Sequence, residues 1–236
     1  MAVPVVETRA LGKSFGLVPV LLEVDLRVAA GRAAVIIGGN GAGKSTLLAI
    51  LAGLAAPSTG DAFVFGQDSR RLDPDGRRRI GMLAHRSFLY PNLTAIENLE
   101  FYAALYGIKN PHVAALTWLR LVGLANFGGE RVRMYSRGME QRLAAARAMI
   151  AEPMLLLLDE PFAALDSGGV VIMADLIRSE LARGCAVVAS AHGAMVIDGV
   201  ELEQYEILRG RLESINERTE SPPSSRLRSL LGRQNQ

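Results

Sequence analysis

The stretch Gly38-Gly39-Asn40-Gly41-Ala42-Gly43-Lys44-Ser45-Thr46 constrains the fold of this chain more than any other segment. It follows an apolar run, Ala33-Ala34-Val35-Ile36-Ile37, and precedes a helix-like run, Leu47-Leu48-Ala49-Ile50-Leu51. Strand, glycine loop and helix in that order are the setting of a phosphate-binding P-loop. Glycines let the backbone curl until successive N–H groups point at one anion. The helix N-terminus adds its dipole at the same point. In that arrangement Lys44 reaches the outer phosphates of a nucleotide and Ser45 ligates Mg²⁺. The competing reading, a glycine turn with no ligand, is disfavoured by the flanking strand and helix.

At 236 residues, half of them hydrophobic, the chain is long enough for one domain with a sizeable core. A net charge of +2 gives no electrostatic case for nucleic acid, and no nucleic-acid partner is expected. The single cysteine, Cys185, excludes an internal disulfide framework and reads as an inert buried thiol in an apolar strand. The N-terminal residues lack the basic start and apolar core of a secretory signal. No apolar stretch approaches the ~20 residues that span a bilayer, so any membrane role is expected to run through a partner.

Val20 to Val28 alternates partly at period two, as a half-buried strand does, and Asp61 to Gly66 reads as a further strand. The Arg77-Arg78-Arg79 run reads as a solvated segment leading into a strand over 80–84. From Thr94 to Asn126 the pattern is helical. Thr94-Ala95-Ile96-Glu97 resembles a capping box, and Ile96, Leu99, Phe101 and Leu105 are expected on one apolar face. A second helix carries Trp118 and Leu121, and a third spans 138–151. A helix over 170–183 and a strand over 185–190 continue the α/β alternation. From Asn216 onward Ser, Pro, Arg and Gln predominate, which predicts a disordered basic tail; the alternative is a short amphipathic helix using Leu227, Leu230 and Leu231.

Three further features narrow the chemistry. Leu155-Leu156-Leu157-Leu158-Asp159-Glu160 is an apolar strand ending in two carboxylates. Beside the P-loop strand it would bring Asp159 to the Mg²⁺ shell and leave Glu160 to orient and deprotonate a water; an N-capping pair is the alternative. Tyr135-Ser136-Arg137-Gly138-Met139 opens a helix, either as a second anion cradle or as a simple cap. His192 follows an apolar strand, on what is the ligand edge of an open α/β sheet.

Together these features resemble the ATP-binding-cassette (ABC) ATPase family over about residues 1–215. Gly38 to Thr46 is similar to its Walker A motif, Leu155 to Glu160 to its Walker B, and Ala163-Ala164-Leu165-Asp166 to its D-loop. Ser136, Arg137, Gly138 and Met139 stand where the family has its signature, with Arg137 and Met139 departing from the usual glycine and glutamine. His85 occupies the place of a coupling-loop glutamine, His192 that of the switch histidine, and Phe15 that of the aromatic that stacks on adenine.

The resemblance implies an α/β P-loop NTPase with a RecA-like core (1–84 and 154–215), an N-terminal antiparallel β region and an inserted helical subdomain (85–153). It implies ATP and Mg²⁺ as cofactors, and catalytic roles for Lys44, Glu160 and His192. It also implies a second ATPase domain, an identical copy, that supplies its signature in trans, and membrane permease subunits at the cytoplasmic face of the inner membrane. Leu83-Ala84-His85, the 93–102 segment and Ser136-Arg137-Gly138-Met139 are similar to the ATPases of heme exporters in cytochrome c maturation, and related ABC-2-type exporters share parts of the pattern. A non-transport nucleotide-binding regulator is the third possibility.

Overall fold

The computed structural model describes residues 3–215. The tail expectation for 216–236 lies outside the described residues. Two sheets organise the chain. The first is antiparallel and joins β1 (Val6–Phe15), β2 (Val18–Val28), β4 (Thr59–Val64) and β5 (Gln67–Asp68) in the order β2-β1-β4-β5. The second contains β3 (Ala33–Ile37), β6 (Ile80–Leu83), β7 (Leu155–Asp159), β8 (Ala186–Ala191), β9 (Leu202–Leu208) and β10 (Arg211–Ser214), in the order β10-β9-β3-β8-β7-β6. All its neighbours pair in parallel except the β9–β10 hairpin.

The unbroken apolar runs of β3, β7 and β8 follow from burial on both faces. Successive side chains alternate, so one strand feeds two cores. Val35, Leu156, Leu158, Val187 and Ala189 enter one core, which also holds Leu99, Leu119, Leu143 and Met173. Ile36, Leu155, Leu157, Ala186 and Val188 enter the other, against Leu47, Leu48 and Leu51. Each fully buried leucine contributes roughly 2 kcal/mol relative to exposure.

The helices are α1 (Lys44–Leu51), α2 (Pro74–Arg78), α3 (Ala95–Leu105), α4 (Pro111–Leu121), α5 (Arg137–Met149) and α6 (Ser167–Ala182). Caps fix several starts. Thr94 and Glu97 form the capping box of α3, Ser136 caps α5 by accepting from the Met139 N–H, and Asp166 caps α6 by accepting from the Gly169 N–H. Buried Asn98 ties the loop before α3 by accepting from the Tyr90 N–H and donating to the Tyr90 and Thr94 carbonyls.

Three expectations need correction. The carboxylate-bearing strand β7 does not lie beside the P-loop strand β3, because β8 stands between them. The buried face of α3 is Ala95, Leu99 and Ala103, whereas Phe101 and Leu105 are exposed. A four-residue step keeps the small side chains under α4 and α5 and turns Phe101 outward. There its ring meets Tyr90 and Tyr102 edge-on at 5.1 and 5.3 Å. The arginine run is more than a solvated segment, since Arg79 stacks on the Phe65 ring at 4.1 Å and Arg78 donates to the Tyr106 carbonyl.

Candidate active site

The C-terminal ends of β3, β7 and β8 share one edge of the parallel sheet, because their ladders run in step: Ile37 pairs with Ala191 and Asp159 with Ser190. At this edge the loop after β3 curls into a cleft of about 240 Å³ lined by Val20, Gly39 to Thr46 and Glu160. Gly43 caps α1 at φ 107°. A Cβ there would fall 2.8 Å from Leu21 Cδ2 and 3.1 Å from the Val20 carbonyl, so the loop closes against β2 only with glycine. The Lys44 side chain is buried within the curl and donates to the Gly38 carbonyl at 2.6 Å and the Gly39 carbonyl at 3.1 Å. Asn40, Ser45 and Gly39 stay on the exposed side.

Glu160 is the meeting point of the edge. Its Oε1 lies 2.8 Å from His192 Nε2 and 4.0 Å from Lys44 Nζ. Its backbone sits at φ 51°, a left-handed conformation that costs a non-glycine residue about 1–3 kcal/mol. Two side chains hold that peptide. The Glu160 N–H donates to Ser190 Oγ at 3.0 Å, and Gln141 Nε2 donates to the Glu160 carbonyl at 3.2 Å. Ser190 Oγ in turn donates to Asp159 Oδ1 at 2.6 Å.

The remaining candidate residues lie outside the P-loop cleft. Ser136, Arg137, Gly138 and Met139 form the head of α5 beside the loop that precedes α6, where a Cβ on Gly138 would be 2.8 Å from the Ala164 carbonyl. Burial, with the Glu130 charge adding to it, pushes the Tyr135 phenol up to about 12, so it remains a neutral donor to the Phe127 carbonyl at 2.9 Å. Asp166 is spent on its cap. Phe15 ends β1 with an exposed ring, and Lys13 Nζ stands 5.1 Å from its centroid. His85 is exposed at a bend just past β6. Its loop is fastened to α5, since Ser87 donates to Glu140 at 2.6 Å, and Arg147 of the same helix donates to the Met82 carbonyl of β6. The Arg147 guanidinium also lies 5.5 Å from the rings of both Phe88 and Tyr102, and burial holds it below its ordinary pKa.

Sequence reasoning missed Val20, Gln141 and Ser190. Ser190 did carry a signal, as the one hydroxyl in the apolar run Val187-Val188-Ala189-Ser190-Ala191. The donor chemistry fits a nucleotide with a divalent cation. Among the described residues no cluster of His, Cys, Asp or Glu could hold a metal by itself. Mg²⁺ at nucleotide sites takes one or two protein oxygens and completes its shell with phosphates and water, and Ser45 with Asp159 offers that kind of set.

A six-stranded, mostly parallel sheet with a glycine cradle at its carboxyl edge and a lysine folded into it defines a P-loop nucleotide-binding protein. The comparisons with known proteins go further. The ABC transporter family matches residues 21–163, and the chain belongs to that family. It is 38% identical over 193 residues to the cytochrome c biogenesis ATP-binding export protein CcmA of Xanthomonas campestris pv. campestris, covering 82% of this chain and 89% of that one. It is 35% identical over 182 residues to the lantibiotic transport ATP-binding protein SrtF of Streptococcus pyogenes, covering 77% of each. Among solved structures, a dimeric ATP-binding cassette in a post-hydrolysis state with ADP and Pi superposes with a TM-score of 0.80 at 28% identity, covering 88% of this chain and 96% of that one. The chain is therefore an ATP-hydrolysing cassette of the ABC type. No helix among the described residues is long and apolar enough to cross a membrane.

Proposed function

We propose that this chain energises a membrane exporter from the cytoplasmic face of the inner membrane, and that the exporter serves heme export for c-type cytochrome biogenesis. The observation that carries this reading is the 38% identity to a cytochrome c biogenesis export protein along 89% of that protein's length. The chain works as a pair of identical copies, each lending its P-loop to one nucleotide and its Ser136–Met139 segment to the other. This is supported by the occurrence of a P-loop and such a segment in the same chain, and by the dimeric solved relative. Residues 85–153 act as the helical subdomain and 1–84 with 154–215 as the core. The His85 loop, fastened to α5, faces the permease.

The residues divide the work. The backbone N–H groups of 39–46 and the α1 N-terminus bind the phosphates. Lys44 releases the Gly38 and Gly39 carbonyls to neutralise the outer ones. Phe15 stacks on the base. Ser45 and Asp159 would hold Mg²⁺, and the bound ion would spread the charge of the transferring phosphoryl group. Glu160 orients a water and accepts its proton, while His192 holds the Glu160 carboxylate in place and reads the terminal phosphate. ATP between two electropositive helix ends joins the copies, and phosphate release loosens them.

Expression in a bacterium lacking its own cytochrome c biogenesis export ATPase tests the cargo. Restored covalent heme in its c-type cytochromes is the expected outcome. ATP turnover without that restoration would move the chain to another ABC-2-type exporter, a reading favoured by the similarity to the lantibiotic transporter.

A further inference from the structure

We propose that Ser190 is a positioning residue for the hydrolysis step: its hydroxyl sets the Asp159 carboxylate and the Glu160 backbone together and carries both across the strand that separates them from the P-loop. The inference rests on the roles given above to Asp159 and Glu160.

The need for such a residue comes from the strand order. With β8 between β3 and β7, the carboxylates cannot take their position from the P-loop strand directly. Ser190 is the β8 residue in register with Asp159. It follows Ala186 and Val188 on one face of β8, as Asp159 follows Leu155 and Leu157 on β7, and these residues pack in the core that holds α1. The hydroxyl is fully buried and has both of its bonds made.

The direction of those bonds is determined. A backbone N–H can only donate, so the oxygen of Ser190 accepts from Glu160. Its single proton is thereby left for Asp159 Oδ1, at 2.6 Å. One group thus performs two tasks. It satisfies the N–H of a residue strained at φ 51°, and it occupies one carboxylate oxygen of Asp159, which leaves Oδ2 for a ligand. His192, two residues along the same strand end, contacts the Glu160 carboxylate at 2.8 Å. Strand β8 therefore grips both the backbone and the side chain of Glu160.

Alanine at 190 would keep the strand and its packing but leave the Glu160 N–H and Asp159 Oδ1 without their partner, whereas threonine would keep the hydroxyl. The test compares the full chain with Ser190→Ala, Ser190→Thr and Glu160→Gln. It measures ATP turnover, the binding of fluorescent ADP titrated with and without Mg²⁺, and thermal unfolding. In Ser190→Ala, kcat should fall about tenfold, as for one lost charge-assisted hydrogen bond. More Mg²⁺ should be needed for half-maximal ADP binding, metal-free ADP binding should be unchanged, and Ser190→Thr should restore both losses.

Unaltered turnover and Mg²⁺ dependence in Ser190→Ala would overturn the proposal. So would equal weakening of ADP binding with and without Mg²⁺, or a threonine variant as impaired as alanine, since either marks a packing effect. If Glu160→Gln is inactive while Ser190→Ala is normal, the Ser190 proposal alone falls. If Glu160→Gln turns over like the wild type, the underlying reading of Glu160 falls with it.

Discussion

His192 Nε2 stands 2.8 Å from Glu160 Oε1, although the two residues come from different strand ends. Lys44 Nζ approaches the same carboxylate oxygen to 4.0 Å from the head of α1. The sheet edge thus collects a cation, a carboxylate and an imidazole around one point. Such convergence is what water activation next to a transferring phosphoryl group requires.

Glu160→Gln keeps the shape of that side chain and removes its basicity. ATP binding should persist, turnover should fall by roughly 10²- to 10⁴-fold, and an ATP-bound dimer should accumulate. Phosphate release and size-exclusion chromatography with ATP read the two effects. Wild-type turnover would remove Glu160 from the role of base.

Lys44→Ala deletes the buried ammonium that bridges the Gly38 and Gly39 carbonyls. ATP affinity, measured calorimetrically, should drop below detection. Lys44→Arg should not rescue it, because a planar guanidinium cannot occupy the position of a compact ammonium between two carbonyls. Unchanged affinity in Lys44→Ala would exclude the P-loop from nucleotide binding.

Gly138→Ala places a methyl group 2.8 Å from the Ala164 carbonyl, a backbone atom that cannot swing aside. The head of α5 or the loop before α6 must shift, at a cost of roughly 1–3 kcal/mol. Urea denaturation should show that loss, with reduced ATPase activity beside it. Arg137→Ala, at an exposed neighbour, should change stability by less than ~0.5 kcal/mol. A Gly138→Ala variant as stable as wild type would show that the contact relaxes freely.

The parts of this site legible in the sequence were those decided within a few residues. The glycine loop, the α3 capping box of Thr94 and Glu97, and the Ser136 cap each depend on short spacings and appear where the sequence places them. Strand order was not legible, because the insertion of β8 between β3 and β7 is a pairing between segments far apart in the chain. The same non-local pairing hid Ser190, whose partners Asp159 and Glu160 come from another strand. The outward turn of Phe101 escaped a helical-periodicity argument for a different reason. Of the buried residues on α3, Ala95 and Ala103 are small and Asn98 is polar, which leaves Leu99 alone to give a strong hydrophobic signal.

His85 follows β6 at an exposed bend, on a loop fastened to α5 by the Ser87–Glu140 bond. His85→Ala leaves that fastening and the P-loop cleft intact. Basal hydrolysis should therefore change little, while transport by the reconstituted exporter should fall. Parallel measurement of phosphate release and cargo movement separates the two, and equal losses would argue against a coupling role.

Cys185 offers a probe of the whole fold, because it is the sole cysteine and is 1% exposed. Burial, reinforced by the nearby Glu180 charge, pushes its thiol up to about 12 from an ordinary value of 9.0. The neutral thiol is thus favoured in the folded state relative to the unfolded one. The stability linked to this group is complete below the ordinary thiol pKa and is lost as pH rises from there through about 12. At pH ~8 the native protein should resist iodoacetamide, since both thiolate and access are missing, and the urea-unfolded chain should react fully. Between these limits the labelling rate should track the opening of the core around β8, slowing when nucleotide binds and stabilises the native state. Native labelling as fast as that of the unfolded chain would mean that β8 is open to solvent, and the grip of this strand on Glu160 would then have no rigid base.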